Sequence, residues 1–266
     1  MQLKLSEMVN SKVNLSMEMT SLTTILLVFT RISALLLLTP LFAIAPLPLR
    51  VRILLLLSLA ALLVAALPPS GLVGFVSVPA LLIAMANELL IGAMMAFGLF
   101  AAFAVFLFGG RIVDFQMGFG VANLIDPATN TQGPMLGTAL NLMAVATFFL
   151  LDGHHMLMRG IVYSLQALPP GGALGDLSLG PLVAQFGTMF TFGLMLVAPV
   201  VFTLLLLDVG LAVAARTMPQ VNMFIVSLPL KILVGLSVLA LSLNYLGPLL
   251  QKIFASIFIY WQALLD

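Results

Sequence analysis

No cysteine occurs in the 266 residues, which removes a disulfide framework, a thiolate zinc site and a cysteine-ligated iron–sulfur cluster together. Charge is nearly as scarce: 7% of residues are Asp, Glu, Lys or Arg, where a soluble domain carries roughly a quarter. With 62% hydrophobic residues, the chain reads as a membrane protein. Ten Lys and Arg against nine Asp and Glu leave a net charge of +1, which provides no basic field for nucleic acid. The opening stretch carries Lys4, Glu7, Lys12 and Glu18 without a continuous apolar run, so no cleavable signal peptide is expected. On a helix, Leu5, Met8, Val9, Val13 and Met17 would share a face suited to an interface or a docking partner.

What the chain does have is apolar length. Runs of about 20 residues, enough to span a bilayer, lie near 22–45, 53–67, 80–108, 135–168, 182–207 and 232–250. The expected fold is an all-α membrane protein with about six long helical segments arranged as hairpins. Breaks fall at Pro46-Leu47-Pro48, Pro68-Pro69-Ser70-Gly71, Gly109-Gly110, Asp126-Pro127, Pro169-Pro170-Gly171-Gly172 and Met218-Pro219-Gln220. If each run crosses once, Arg50, Arg52, Arg111, Arg216 and Lys231 fall at odd-numbered connections, which the positive-inside rule places in the cytoplasm.

One segment breaks the helical pattern. Val113-Asp114-Phe115-Gln116-Met117-Gly118-Phe119-Gly120-Val121 alternates apolar residues with polar ones or glycine, a strand-like period of two. Extended backbone cannot face lipid, because its N–H and C=O groups would find no partners there, so it must be buried in protein or line a cavity. Seven of the nineteen phenylalanines lie between Phe97 and Phe119, beside the permissive backbone of Gly109, Gly110, Gly118 and Gly120. A re-entrant loop that merely joins two helices fits the same pattern. In the extended reading Phe115, Met117 and Phe119 point to one face and exclude water, while Asp114 and Gln116 hydrogen-bond to neighbouring subunits.

Polar residues inside apolar runs need partners. Glu88 would cost about 2.5–3.5 kcal/mol at the bilayer centre, so it should meet another polar group, and Arg31 is the natural ion-pair partner. A proton-relay carboxylate is the sharper alternative, without a second acid at relay spacing. Asp208 is most simply a polar helix terminus. Asp152, His154 and His155 are metal-type side chains, but adjacent helical histidines diverge by roughly 100° and no His-Glu-x-x-His spacing exists. A histidine that caps or bridges helices explains them as well. The Gly118-Phe119-Gly120 stretch lacks the Lys-Ser or Lys-Thr of a phosphate cradle. The sixteen methionines suit ordinary core filling.

In order and spacing, several stretches resemble the FliR family of bacterial flagellar export-gate proteins, related to the SctT components of injectisome type III secretion systems. They are Phe29-Thr30-Arg31 with Thr39-Pro40-Leu41-Phe42, Pro48-Leu49-Arg50-Val51-Arg52, Asn87-Glu88-Leu89-Leu90-Ile91-Gly92, Asp114-Phe115-Gln116-Met117-Gly118-Phe119 with Asp126-Pro127, and Asp152-Gly153-His154-His155. Most specific is Arg216-Thr217-Met218-Pro219-Gln220-Val221-Asn222-Met223-Phe224, followed by Pro229-Leu230-Lys231. The Pro-Gln-x-Asn-x-Phe form is closer to flagellar members than to injectisome ones.

The resemblance implies a noncatalytic, cofactor-free core subunit of the flagellar type III export gate. It would sit in the bacterial inner membrane at the basal body, in a helical ring with FliP and FliQ and in contact with FlhB, passing unfolded flagellar proteins. It implies a FliP-like part over 22–180, with a non-helical plug loop at 109–134, then a FliQ-like hairpin and C-terminal segment over 181–266; residues 1–21 are an N-terminal extension to which the resemblance assigns no role. The plug would use Gly110, Phe115, Met117, Gly118, Phe119 and Gly120. Arg31, Glu88, Asp152, His154, Arg216, Gln220, Asn222 and Lys231 would serve buried polar or inter-subunit contacts. A seal is physically necessary, since the membrane potential is worth about 2.3 kcal/mol per charge per 100 mV. A secondary transporter with an intramembrane carboxylate and a broken helix is the rival from another class. A metalloenzyme built on His154 and His155 is a third.

Overall fold

The computed structural model describes residues 2–39, 47–66, 77–119, 134–172, 178–218 and 223–265. Its helices are α1 Gln2–Leu37, α2 Leu49–Ala66, α3 Val78–Met117, α4 Met135–Leu150, α5 Gly153–Ala167, α6 Gly180–Thr217, α7 Met223–Leu243 and α8 Gly247–Leu265. No strand occurs among the described residues. The all-α expectation holds, and six of these helices are long and apolar enough to cross a membrane. Helix α3, at 40 residues, reaches about 60 Å at 1.5 Å per residue, twice the thickness of a hydrocarbon core of about 30 Å. Length alone therefore separates α3 and the 38-residue α6 from simple single spans.

Three run boundaries differ from the sequence expectation. The run at 135–168 is two helices, broken at Leu151 and Asp152, where Asp152 adopts φ +56°. The run at 232–250 splits at the turn preceding Gly247, and the following α8 had no counterpart in the expected spans. Gln251, Lys252 and Gln262 dilute its hydropathy, but its apolar residues still recur at helical spacing and bury Leu250, Ile253, Phe254, Ile257 and Trp261.

The third difference concerns the alternating segment. Val113 to Met117 are the last turns of α3, not a strand. Gly109, Gly110, Val113, Asp114 and Met117 are buried, which is the i, i+4, i+8 stripe of a helix. Over 113–117 the period of two was a coincidence of short length. Phe115 and Met117 therefore do not share a face: Met117 is fully buried and Phe115 is 81% exposed. The expected plug loop is helical from 109 to 117, and residues 120–133 lie outside the described residues.

The chain forms two compact units. In the first, made of residues 1–100, 154–182 and 258–266, α1 packs on α2, and Trp261 and Tyr260 donate to the carbonyl oxygens of Met95 (2.9 Å) and Met94 (2.8 Å). These donors reach the backbone of α3 because Gly98 and Gly160 present no side chain beneath the two rings. The second, residues 101–153 and 183–257, centres on Phe103, Phe106, Phe148 and Phe254, whose ring centroids lie 5.4–6.1 Å apart in tilted, stacked and edge-on pairs.

Candidate functional site

The first unit encloses the polar pair that the sequence pointed to. Arg31 and Glu88 are each 1% exposed. The Arg31 Nε donates to Glu88 Oε2 at 2.5 Å and Nη2 donates to Oε1 at 3.1 Å, a bidentate geometry that only a guanidinium offers. The remaining donors turn to the end of α5: Nη1 to the carbonyl oxygen of Ser164 (2.8 Å) and Nη2 to that of Leu168 (2.9 Å). A cation at a helix C-terminus is favoured there, because the last carbonyls have no partner within the helix.

Glu88 gains a third donor. The backbone N–H of Gly171 reaches Oε1 at 2.9 Å, from a turn in which Gly171 has φ +80° and Gly172 donates to the carbonyl of Pro169. A side chain at Gly171 would strain that turn. Helix α1 comes this close to α3 because Gly92 lies against the carbonyl of Arg31 and the side chain of Ala34. The network ties α1, α3 and the end of α5 together with every charge compensated. A relay or midplane ion site needs a carboxylate open to its cargo, and both oxygens of Glu88 are engaged, which counts against the transporter reading.

The second unit holds the other group of predicted residues. Gly110 of α3 crosses α4 at Gly137 so closely that a Cβ on Gly110 would lie 2.5 Å from the Gly137 nitrogen. One turn on, Asp114 sends its carboxylate to the start of α4: Oδ1 accepts from the N–H of Leu136 (3.0 Å) and Oδ2 from that of Gly137 (3.2 Å). The residue before α4 is Pro134, which makes no side-chain cap, so a neighbouring helix supplies what the local sequence lacks. Asp114 thus gives each of its carboxylate oxygens to a backbone N–H of its own chain. Met117 fills the space over Gly235, and Gly118, at φ +83°, lies beside Leu228. The Gln116 Oε1 is buried with no partner among the described residues.

The other predicted residues lie apart from these networks, with Asp152, His154 and His155 grouped so that one possible ligand atom of each lies within 4.8 Å of the others. Lys231 pairs with Asp208 at 2.6 Å, so Asp208 is not a helix terminus but a mid-helix ion-pair partner within α6. Arg216 is exposed in the last turn of α6, where its charge complements the helix dipole. Asp152, His154 and His155 are exposed, the two imidazole centroids 4.1 Å apart. Phe119 is half-buried, while Gly120, Gln220 and Asn222 lie outside the described residues. Sequence reasoning missed Gly137, Ser164, Gly171 and Trp261. Of these only Gly171 had a signal, in the Pro169-Pro170-Gly171-Gly172 turn.

Residues 22–257 match the family described as bacterial export proteins, family 1. The chain belongs to this family. Among its relatives are the flagellar biosynthetic proteins FliR of Bacillus subtilis, 35% identical over 64% of this chain and 67% of that protein, and of Escherichia coli, 31% identical over 65% and 66%. The surface presentation of antigens protein SpaR of Shigella flexneri is 28% identical over 58% of this chain and 60% of its own length. The alignments thus span about two thirds of the FliR relatives or less. Membership in the FliR family, first suggested by short motifs, is shown at the scale of the chain. The match begins at residue 22, so the first part of α1 lies outside it.

Proposed function

We propose that the chain is a noncatalytic core subunit of the bacterial flagellar type III protein export gate, in the inner membrane at the basal body. It assembles with FliP and FliQ subunits, contacts FlhB and helps to form a sealed conduit for unfolded flagellar proteins. Residues 22–180 act as the FliP-like part and 181–266 as the FliQ-like hairpin with the C-terminal segment. The observation that carries this reading is the family match over 22–257, with FliR proteins among the relatives.

The physical features agree with a subunit rather than a solitary protein. Leucine, valine and phenylalanine side chains are exposed along α2, α6 and α7, and such surface needs lipid or apolar protein to cover it. Gly110, Phe115, Met117, Gly118, Phe119 and Gly120 serve the seal. The helical ending of α3 gives them divided roles: Met117 and Gly118 anchor the segment, and Phe115 projects from it. Arg31, Glu88, Asp152, His154, Arg216, Gln220, Asn222 and Lys231 serve polar contacts within the chain or with neighbours.

The reading is tested by purifying a tagged chain from membranes of its source cell and by deleting its gene. Co-purification with other small hydrophobic subunits, and loss of exported rod, hook and filament proteins in the deletion, are expected. A chain recovered alone, with export intact in the deletion, would overturn it.

A further inference from the structure

The chain has two histidines and no cysteine, so its only imidazole or thiolate donors sit side by side at 154 and 155. They stand at the start of α5, directly after Asp152 and Gly153, and all three of Asp152, His154 and His155 are exposed. Adjacent residues of a helix leave it roughly 100° apart, which on its own argues against a shared ion. That angle fixes only where the side chains begin. Here the two rings finish together, with centroids 4.1 Å apart and planes 38° from parallel. With the Asp152 carboxylate included, one ligand-type atom from each residue lies within 4.8 Å of the others. The backbone turn supports this grouping: Asp152 has φ +56°, its N–H donates to the carbonyl of Phe149 (3.2 Å), and Gly153 has no Cβ to run into the ring and carbonyl of Phe148.

We propose that Asp152, His154 and His155 bind one divalent transition-metal ion of the zinc class. All three ligands come from four consecutive residues, so the site is local to one stretch of chain, and it stands independently of the export role. Two imidazole nitrogens and a carboxylate oxygen are a donor set that zinc accepts, with water filling the open position. The same set disfavours magnesium and calcium, which take oxygen ligands. Zinc bonds of about 2.0–2.2 Å to nitrogen and oxygen place tetrahedral ligand atoms about 3.3 Å apart. From separations within 4.8 Å, the three groups need to close by about 1.5 Å at most. Solvent-exposed side chains reach that by changing rotamer, without movement of the backbone. A bound ion ties the residue that precedes α5 to the first turn of that helix.

The test is a Zn²⁺ titration of the full chain in detergent, purified without a histidine tag, followed by X-ray absorption at the zinc edge. We expect saturation at one Zn²⁺ per chain and two imidazole nitrogens around the ion, which within this chain only His154 and His155 can supply. His154→Gln and His155→Gln, measured separately, should each weaken binding by about tenfold or more, since losing even an outer partner of a metal ligand costs about 10–100-fold in affinity. An equal concentration of Mg²⁺ should not displace the ion. Zinc uptake that does not saturate, displacement by Mg²⁺, or unchanged affinity in both variants would overturn the site. If neither variant is recovered folded, the absorption spectrum of the parent decides: two imidazoles around the ion uphold the site, and fewer overturn it.

Discussion

Replacing Glu88 by Gln should destabilise the chain by about 3–5 kcal/mol, because it leaves the Arg31 guanidinium buried without its counter-charge. Against a total stability of about 5–15 kcal/mol for a domain, that is a large share. The geometry gives the sign of the partner experiment as well. Arg31→Met removes the guanidinium but strands the Glu88 carboxylate, which keeps only the Gly171 N–H. The double variant removes both charges, so its cost should fall well below the sum of the singles, with a coupling of roughly 2–3 kcal/mol. It should not return to zero, since the Ser164 and Leu168 carbonyls lose the Arg31 donors, at about 1–3 kcal/mol for each group left buried and unpaired. The assay is a double-mutant cycle on thermal unfolding of the detergent-solubilised complex, with recovery of intact complex as a second readout. Additive losses, within about 0.5 kcal/mol, would refute the claim that the two charges act as one buried unit.

Further predictions follow from the helix contacts. Gly160→Val places a side chain under the Trp261 ring and should cost about 1–3 kcal/mol from overpacking, read as a lower unfolding midpoint. Gly110→Ala should do at least as much damage, because the new methyl meets backbone of Gly137 and not a mobile side chain; equal stability to the parent would contradict the crossing. Asp208→Asn should change stability by no more than about 1 kcal/mol in the same unfolding measurement, since its partly exposed ion pair with Lys231 is screened.

Much of this fold was legible because apolar length and turn chemistry act locally. The helices and the need of Glu88 for Arg31 follow from hydropathy and from the cost of a lone buried charge. What was not legible required distance information. The carbonyls of Ser164 and Leu168 reach Arg31 from more than 130 positions away, and no side-chain pattern marks a backbone acceptor. Helix α8 escaped because its polar residues diluted an apolar face that only packing reveals. The strand reading of 113–121 failed over its described helical part, 113–117, for a related reason. A short alternation containing two glycines does not distinguish a period of two from the frayed end of a helix, and the packing of Val113 and Met117 decides it.

The central claim, that the end of α3 and the residues following it seal a protein-export conduit, is tested most directly by ion flux through the assembled complex with Phe115 and Phe119 both replaced by Ala. Phe115 is 81% exposed and Phe119 half-buried, and Met117 keeps its packing over Gly235, so the variant should still assemble. The account predicts a complex of normal composition that leaks small ions. A complex that assembles and remains as impermeable as the parent would contradict it.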